Sequence, residues 1–385
     1  MKKILFITIR NPFSGRYSGD VIRAKRIIKY LKKKNDIDVI FLNDKKRSGL
    51  NSKNDILFKY PNLIKKIYYC FISFLKINPI QFGLFFSKDM NEFIKKNANK
   101  YDILFFHQIR SSQYFPKDFS GKTILEMGDL YSKNYFQTYK NLSFINPLKY
   151  IYFLESFLVK RIEEKIFNNF DRIILYSKNE IKTINKIFQK KIFNITESVE
   201  KSNRNKFTFS KENFKILFIG NLNYLPNKLA CRDFAVNILP KLNKKYPRLQ
   251  FHIIGNIGEY DQKNLSKLNN VKVLGIKKKL DLYMKNVICG LSNLKIASGI
   301  QGKILTYMSF GLPVVCSKQS GSNFRNYVVS YKEDDDLIRK ILSLKKSKSK
   351  SLFYSKKSKS CVKNLIWKKI KLNYLKVITF NKKLF

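Results

Sequence analysis

The feature that most constrains the fold is one alternation that occurs twice. Short apolar runs end on a polar or glycine-containing loop, and each is followed by a stretch with apolar residues at helical spacing. The pattern begins at Ile4 and restarts at Lys215. In the first half, residues 4–9 read as a strand, 11–20 as a loop and 21–34 as a helix with Ile22, Ile27, Ile28 and Leu31 on one face. Residues 38–42, 102–106, 123–126 and 172–176 read as further strands. In the second half, "KILFIGNLNYLPN" is a strand and its loop, and the helix that follows is predicted to stop near Pro240. "QFHIIG", "NVKVLG" and "VICGLS" are three more strands. Strands alternating with helices make a parallel sheet covered on both faces. The expected class is α/β, with two Rossmann-like doubly wound domains facing a cleft, and 385 residues suffice for two cores.

The expected division is 1–200, 213–343 and 344–385, with the polar stretch 200–213 as the joint. The third segment opens with "KKSKSKSLFYSKKSKS", either a mobile basic linker or a solvated helix. It closes with an amphipathic run holding Trp367, the only tryptophan.

The stretch "SGIQGKILTYMSFGLPVVCS", 298–317, carries the most chemistry. Small and polar residues lead into a helix with Ile304, Leu305, Tyr307 and Met308 at helical spacing. Gly311 and Pro313 then end it before a short strand. A helix start flanked by Gly299 and Gly302 offers free N–H groups, and Lys303 adds a full positive charge, which together suit a phosphate. A tight loop with a solvated lysine is the plainer alternative. Neither the Walker loop nor the dinucleotide fingerprint occurs.

Composition narrows the choices. The five cysteines are scattered and odd in number, which excludes a disulfide scaffold. Only His107 and His252 are histidines, so a zinc site or a Ser-His-Asp hydrolase is not expected, and no metal site is assigned. The net charge of +50 comes from lysines spread along the whole chain. It matches a codon bias that also enriches Asn, Ile, Phe and Tyr, while still favouring anionic partners. A basic nucleic-acid-binding protein would concentrate charge and aromatics in a recognisable module. None is seen, so a nucleic-acid partner is not expected. No apolar run approaches the ~20 residues needed to cross a bilayer. The expected location is cytoplasmic, with any membrane contact peripheral, at the cytoplasmic face of the inner membrane. "NLIKKIYYCFISFLK", 62–76, reads as a buried helix of the first domain, or as a helix lying on a membrane. "EDDD", 333–336, reads as the acidic start of a helix rather than a metal-binding Asp-x-Asp.

The stretch 298–317 resembles the donor-binding segment of glycosyltransferase family 4, the retaining enzymes of GT-B fold. "FIGNLNYLPNKLACRDFAVNILPKL", 218–242, is similar to the segment that opens their second domain. The resemblance is good over 215–330 and looser in the first half, through "HQIR" and "ILEMGDLYS". It implies transfer of a sugar from a nucleotide-diphosphate sugar to a surface polysaccharide, glycolipid or other glycan, with retention and without a metal or other cofactor. The nucleotide sugar is the substrate, and the acceptor is a glycan or is lipid-linked. The donor's diphosphate would meet Gly299, Ile300, Gln301 and Gly302 and the side chain of Lys303. Gly220, Asn221, Tyr224 and Asn227 would contact its base or phosphate, and the loop from Gly15 to Gly19 would face the transferred sugar. His107 would touch that sugar and, with Lys303, serve catalysis. By position alone, Arg110 reads as a holder of phosphate or an acidic acceptor, or as a surface arginine, and Glu126 and Asp129, after the next strand, read as acceptor-binding carboxylates or as loop and helix caps. The family's basic residue upstream of the loop would be Lys295. Its pair of glutamates, eight positions apart, is replaced by Ser298 and Thr306, which leaves a catalytically inactive relative of the same fold as the alternative.

Overall fold

The computed structural model describes residues 1–14, 18–44, 55–200 and 207–380. The chain forms two compact units: Met1–Thr196 with Lys371–Phe385, and Glu197–Ile370.

Unit 1 holds seven strands: β1 (Lys3–Thr8), β2 (Asp36–Asn43), β3 (Asp55–Lys59), β4 (Ile103–His107), β5 (Lys122–Gly128), β6 (Arg172–Leu175) and β7 (Ile192–Asn194). Every pairing is parallel and the order is β3-β2-β1-β4-β5-β6-β7. Five of six β1 residues are buried, as expected of a strand covered on both faces. Val21, Ala24, Ile27 and Leu31 of the helix Gly19–Leu31 cover one face.

Unit 2 holds six: β8 (Lys215–Ile219), β9 (Gln250–Ile254), β10 (Val271–Gly275), β11 (Val287–Ser292), β12 (Val314–Ser317) and β13 (Val329–Tyr331). Their order is β10-β9-β8-β11-β12-β13, again all parallel. In each sheet the chain winds outward from its first strand and then returns to the other side of it. The reversals fall between β1 and β4, and between β8 and β11. Loops leaving the carboxyl ends of such a pair diverge, and open α/β sheets bind ligands there.

Three expectations are corrected. The helix through Pro240 does not stop: it runs Leu225–Asp233, widens to a π-turn at Phe234–Ile238 and continues as Leu239–Lys245. The wide turn accommodates a proline that has no N–H and would clash with the carbonyl four residues back. The lysine-serine tract is a helix, Lys348–Val362, in unit 2 rather than a linker. Three of its five serines, Ser351, Ser355 and Ser358, face inward: Ser351 Oγ donates to Leu344 O at 2.6 Å and Ser358 Oγ to Leu312 O at 2.7 Å. The domain boundaries move accordingly, and only from Lys371 onward does the last helix, Trp367–Thr379, belong to unit 1. Three strands were also missed, and each lies at a sheet edge: β3, β7 and β13. The acidic run behaves as expected, with Asp334, Asp335 and Asp336 in the first turn of the helix Asp334–Lys346.

Candidate functional site

At the reversal of unit 2, β8 ends at Ile219 and β11 at Ser292. After β11 the chain forms an irregular loop and enters the helix Gly302–Ser309. Tyr307 hangs that helix from both strands. Its hydroxyl accepts the Ile219 N–H at 2.7 Å and donates to Leu291 O at 3.0 Å. Its ring occupies the space over Gly290, where a Cβ would come within 2.2 Å of it. Gly311 ends the helix with φ 72, the left-handed stop expected from the sequence.

The loop itself is partly exposed and is pinned from within. Asn323 Nδ2 donates to Gly299 O at 2.6 Å, and Gln301 Nε2 donates to Ser298 O at 2.8 Å. Gly299 has φ 59. Among the described residues, no acceptor takes the N–H groups of Ile300, Gln301, Gly302 or Lys303. These are the donors that the start of a helix leaves over. Ser298 Oγ and Asn293 Oδ1, both buried, have no hydrogen-bond partner among the described residues. A polar group left so is costly unless a ligand or water meets it.

Lys303 turns inward beneath this loop. Its Nζ donates to Asn227 Oδ1 at 2.6 Å and lies 3.9 Å from the centroid of the Phe218 ring. No carboxylate pairs with it among the described residues. Burial without a counter-charge lowers its pKa to about 7. Asn227 is itself buried and donates from Nδ2 to Asn221 O at 2.8 Å, so the β8 loop, the next helix and Lys303 form one chain of hydrogen bonds. Gly220 leaves room for it, since a Cβ there would sit 3.0 Å from Asn227 Nδ2. Asn227, expected at the ligand, positions Lys303 instead.

The other expected donor residues are more dispersed. Asn221 and Tyr224 are exposed beside the β8 loop. Lys295 points away, to Asp233 at 3.4 Å, an exposed pair that leaves the loop to Lys303. Thr306 is partly exposed and donates its hydroxyl proton to Gly302 O at 3.0 Å, so only its lone pairs face outward. Gly15 lies outside the described residues. Gly19 is the exposed first residue of its helix.

The reversal of unit 1 holds a second polar cluster, which sequence reading caught only in part. His107 ends β4 and is 2% exposed. Its Nδ1 lies 2.6 Å from Glu126 Oε2, and its Nε2 lies 3.2 Å from the carbonyl oxygen of Asp20. Both partners accept, so each ring nitrogen is placed to donate. Glu126, expected at the acceptor, is fully buried. It accepts from Tyr176 Oη at 3.0 Å and Tyr374 Oη at 2.8 Å, and lies 3.6 Å from Arg23. Burial alone would raise its pKa, but His107, Arg23 and the Tyr374 hydrogen bond hold it below the usual range. Arg23 is 6% exposed and stacks 3.6 Å from the Tyr176 ring. Asp129 is partly buried within electrostatic reach of Arg23. Arg110 is half-buried, donating to Gln81 Oε1 at 2.7 Å and packing on Phe85 and Tyr131. Nothing in the sequence near Glu126 signals Tyr374, 248 positions away.

Two all-parallel α/β sheets, each with a reversal of strand order, are the architecture of the GT-B fold. Residues 213–347 match the model of the family described as Glycosyl transferases group 1. No curated protein matches the chain by sequence. Among solved structures, Anabaena HepE in complex with UDP and glucose is similar with a TM-score of 0.66 at 12% identity, over 99% of this chain and 100% of that one. TarM is similar with a TM-score of 0.65 at 11% identity, over 98% and 99%. A structure described as trehalose-6-phosphate from E. coli bound with UDP-2-fluoro glucose has a TM-score of 0.64 at 11% identity, over 97% and 98%. At such identities the likeness establishes the fold.

Proposed function

We propose that the protein transfers a sugar from a nucleoside-diphosphate sugar to a glycan or lipid-linked acceptor, as a retaining enzyme of the family 4 kind acting at the cytoplasmic face. The observation that carries this is the loop of unit 2: four consecutive N–H groups that no acceptor claims among the described residues, above a lysine that pairs with no carboxylate among them. Breaking the sugar–phosphate bond builds negative charge on the leaving diphosphate. Donors already aimed at that charge lower the barrier without reorganising. The amides of Ile300 to Lys303 and the Lys303 ammonium supply this charge stabilisation from the chain itself, so the reading is metal-independent. Solved relatives of the same fold hold UDP or a UDP sugar, which supports a uridine nucleotide as the first donor to try.

In place of a glutamate pair, Ser298 and Thr306 offer hydroxyls. A hydroxyl accepts less strongly than a carboxylate, so the ribose would be held more loosely. The test is a thermal-shift screen of nucleoside diphosphates and their sugars with EDTA present, since a ligand that binds only the folded form raises its stability. A uridine or other nucleoside-diphosphate sugar should raise the melting temperature, and Lys303→Met should abolish the rise. No shift with any nucleotide would end the reading.

A further inference from the structure

The helix Leu63–Leu75 is the least explained element of unit 1. Its sequence, LIKKIYYCFISFL, reads as core, yet none of its residues is buried. Leu63, Ile64, Ile67, Phe71 and Leu75 are 58% to 77% exposed. Their spacing forms one stripe along the helix. A second apolar stretch runs through the loop and first turns before and within the helix Leu148–Asn169, where Phe144, Ile145, Tyr150, Ile151 and Phe157 are 50% to 77% exposed. These two stretches hold 15 of the 31 exposed large hydrophobic side chains among the described residues.

The two stretches are joined. The short helix Ile80–Gly83 packs on Leu63–Leu75 so closely that a Cβ on Gly83 would meet the Cys70 nitrogen at 2.3 Å. From the same short helix, Gln81 donates through its backbone N–H and its Nε2 to the two oxygens of Glu155, both at 3.0 Å, on Leu148–Asn169. Both apolar stretches therefore adjoin the same short helix of unit 1. Monomers seldom leave so large an apolar area exposed without a partner.

Charge selects the partner. Neither 62–88 without its final acid-bearing neighbour Asp89 nor 130–154 contains a single Asp or Glu. Both contain lysines, among them Lys65, Lys66, Lys76, Lys140 and Lys149, and none of these five forms an ion pair among the described residues. A second copy meeting this face by two-fold symmetry would bring lysine against lysine with no acid to pair. An anionic bilayer accepts both features at once: the apolar side chains enter the acyl boundary and the lysines meet phosphate headgroups. No helix among the described residues is long and apolar enough to cross a membrane, so the contact is interfacial.

We propose that this face of unit 1, built on Leu63–Leu75 and the start of Leu148–Asn169, docks the protein onto an anionic lipid surface. The docking needs no nucleotide and stands apart from the transfer reaction, so each can fail alone.

The experiment is co-sedimentation of the full-length protein, without nucleotide, with vesicles of phosphatidylcholine alone and of phosphatidylcholine mixed with phosphatidylglycerol. The wild type should partition onto the anionic vesicles at least ~10-fold more strongly, and added salt should weaken it. Ile67→Glu with Phe71→Glu should cut partitioning by ~10-fold or more, and Lys65→Gln with Lys66→Gln by about 5-fold per lysine. Ile187→Glu, a change at a 73% exposed isoleucine elsewhere on unit 1, should leave it intact. All of these sites are exposed, so folding is checked by an unchanged melting temperature. Protein that stays in the supernatant overturns the proposal, as does binding that ignores the Ile67 and Phe71 changes. So does a dimer in analytical ultracentrifugation that those changes dissociate while vesicles bind nothing, because the face is then a subunit interface.

Discussion

Lys303 carries a prediction with a definite sign. In the free protein its pKa is about 7, because burial beside Phe218 and Asn227 gives the ammonium no counter-charge. A diphosphate seated on the open amides would stand next to it. One unit of opposite charge at ~4 Å, with an effective dielectric near 20, is worth about 4 kcal/mol, and each pKa unit is about 1.4 kcal/mol. The bound-state pKa therefore rises by ~3, back to the ordinary lysine range. Between the two values binding takes up a proton, so the dissociation constant should grow by up to ~10-fold per pH unit above pH 7 and be flat below it. The assay is isothermal titration calorimetry with UDP-glucose, whose diphosphate diester does not itself titrate near neutrality. Buffers of different ionisation enthalpy at pH 6 and pH 8.5 then read the proton directly. Uptake should approach one proton at the higher pH and vanish at the lower. Lys303→Met should lose the charge-assisted hydrogen bonds, weaken binding by ~10- to 150-fold and flatten the pH profile. The same substitution should stabilise the free protein. A lysine whose folded pKa is depressed binds fewer protons when folded than when unfolded, so the wild type is penalised at and below pH 7 and recovers as pH rises toward the unfolded value near 10.4. A melting temperature raised by a few degrees together with lost ligand response is the combined signature. Wild-type binding that is level from pH 6 to 8.5, or a Lys303→Met protein that binds normally, refutes the reasoning.

Gly290→Ala should press a methyl group into the Tyr307 ring at 2.2 Å, cost ~1–3 kcal/mol in urea denaturation and weaken nucleotide binding by displacing the helix Gly302–Ser309. Tyr374→Phe should leave Glu126 Oε1 with one donor fewer and cost about 1–3 kcal/mol, read in the same denaturation, while nucleotide binding to unit 2 is unchanged. Glu126 has a folded pKa below its unfolded one, so its stabilisation is complete above about pH 4.3 and is lost as pH falls through the folded value. In Glu126→Gln, that acid limb should flatten, and global stability at pH 7 should drop by ~3–5 kcal/mol as Arg23 and His107 lose their shared carboxylate.

How much of this was legible in the sequence follows from what each signal reports. The order loop, helix, left-handed stop and strand across 298–317 could be read directly, because Gly299, Gly311 and Pro313 act through their own backbone geometry. The central strands could be read because burial on both faces demands an unbroken apolar run. Three of the four edge strands could not, β10 being the exception: β7, Ile192–Asn194, has no fully buried residue, and β3 only one. The helix Leu63–Leu75 misled for the opposite reason, since an apolar stripe states what a face avoids and not what covers it.

The polar clusters were the least legible part, and the reason is distance along the chain. Lys303 was named from its loop, but its environment depends on Asn227, 76 positions away, and on Phe218. Glu126 was read as an acceptor ligand because a carboxylate after a strand commonly faces solvent. Three elements remote in sequence instead close over it: Arg23 from the first helix, Tyr176 after β6 and Tyr374 from the last helix. The two reversals thus differ in kind. In unit 1 the carboxylates of Glu126 and Asp20 are met by cations of the protein, with His107 and Arg23 on Glu126 and Arg10 on Asp20 at 2.7 Å. In unit 2 the cation meets only an amide oxygen and a ring, and the neighbouring N–H groups meet no acceptor among the described residues. A folded protein tolerates such uncompensated polarity where a ligand supplies the missing charge, which is why the donor site is proposed at the reversal between β8 and β11 rather than at the one between β1 and β4.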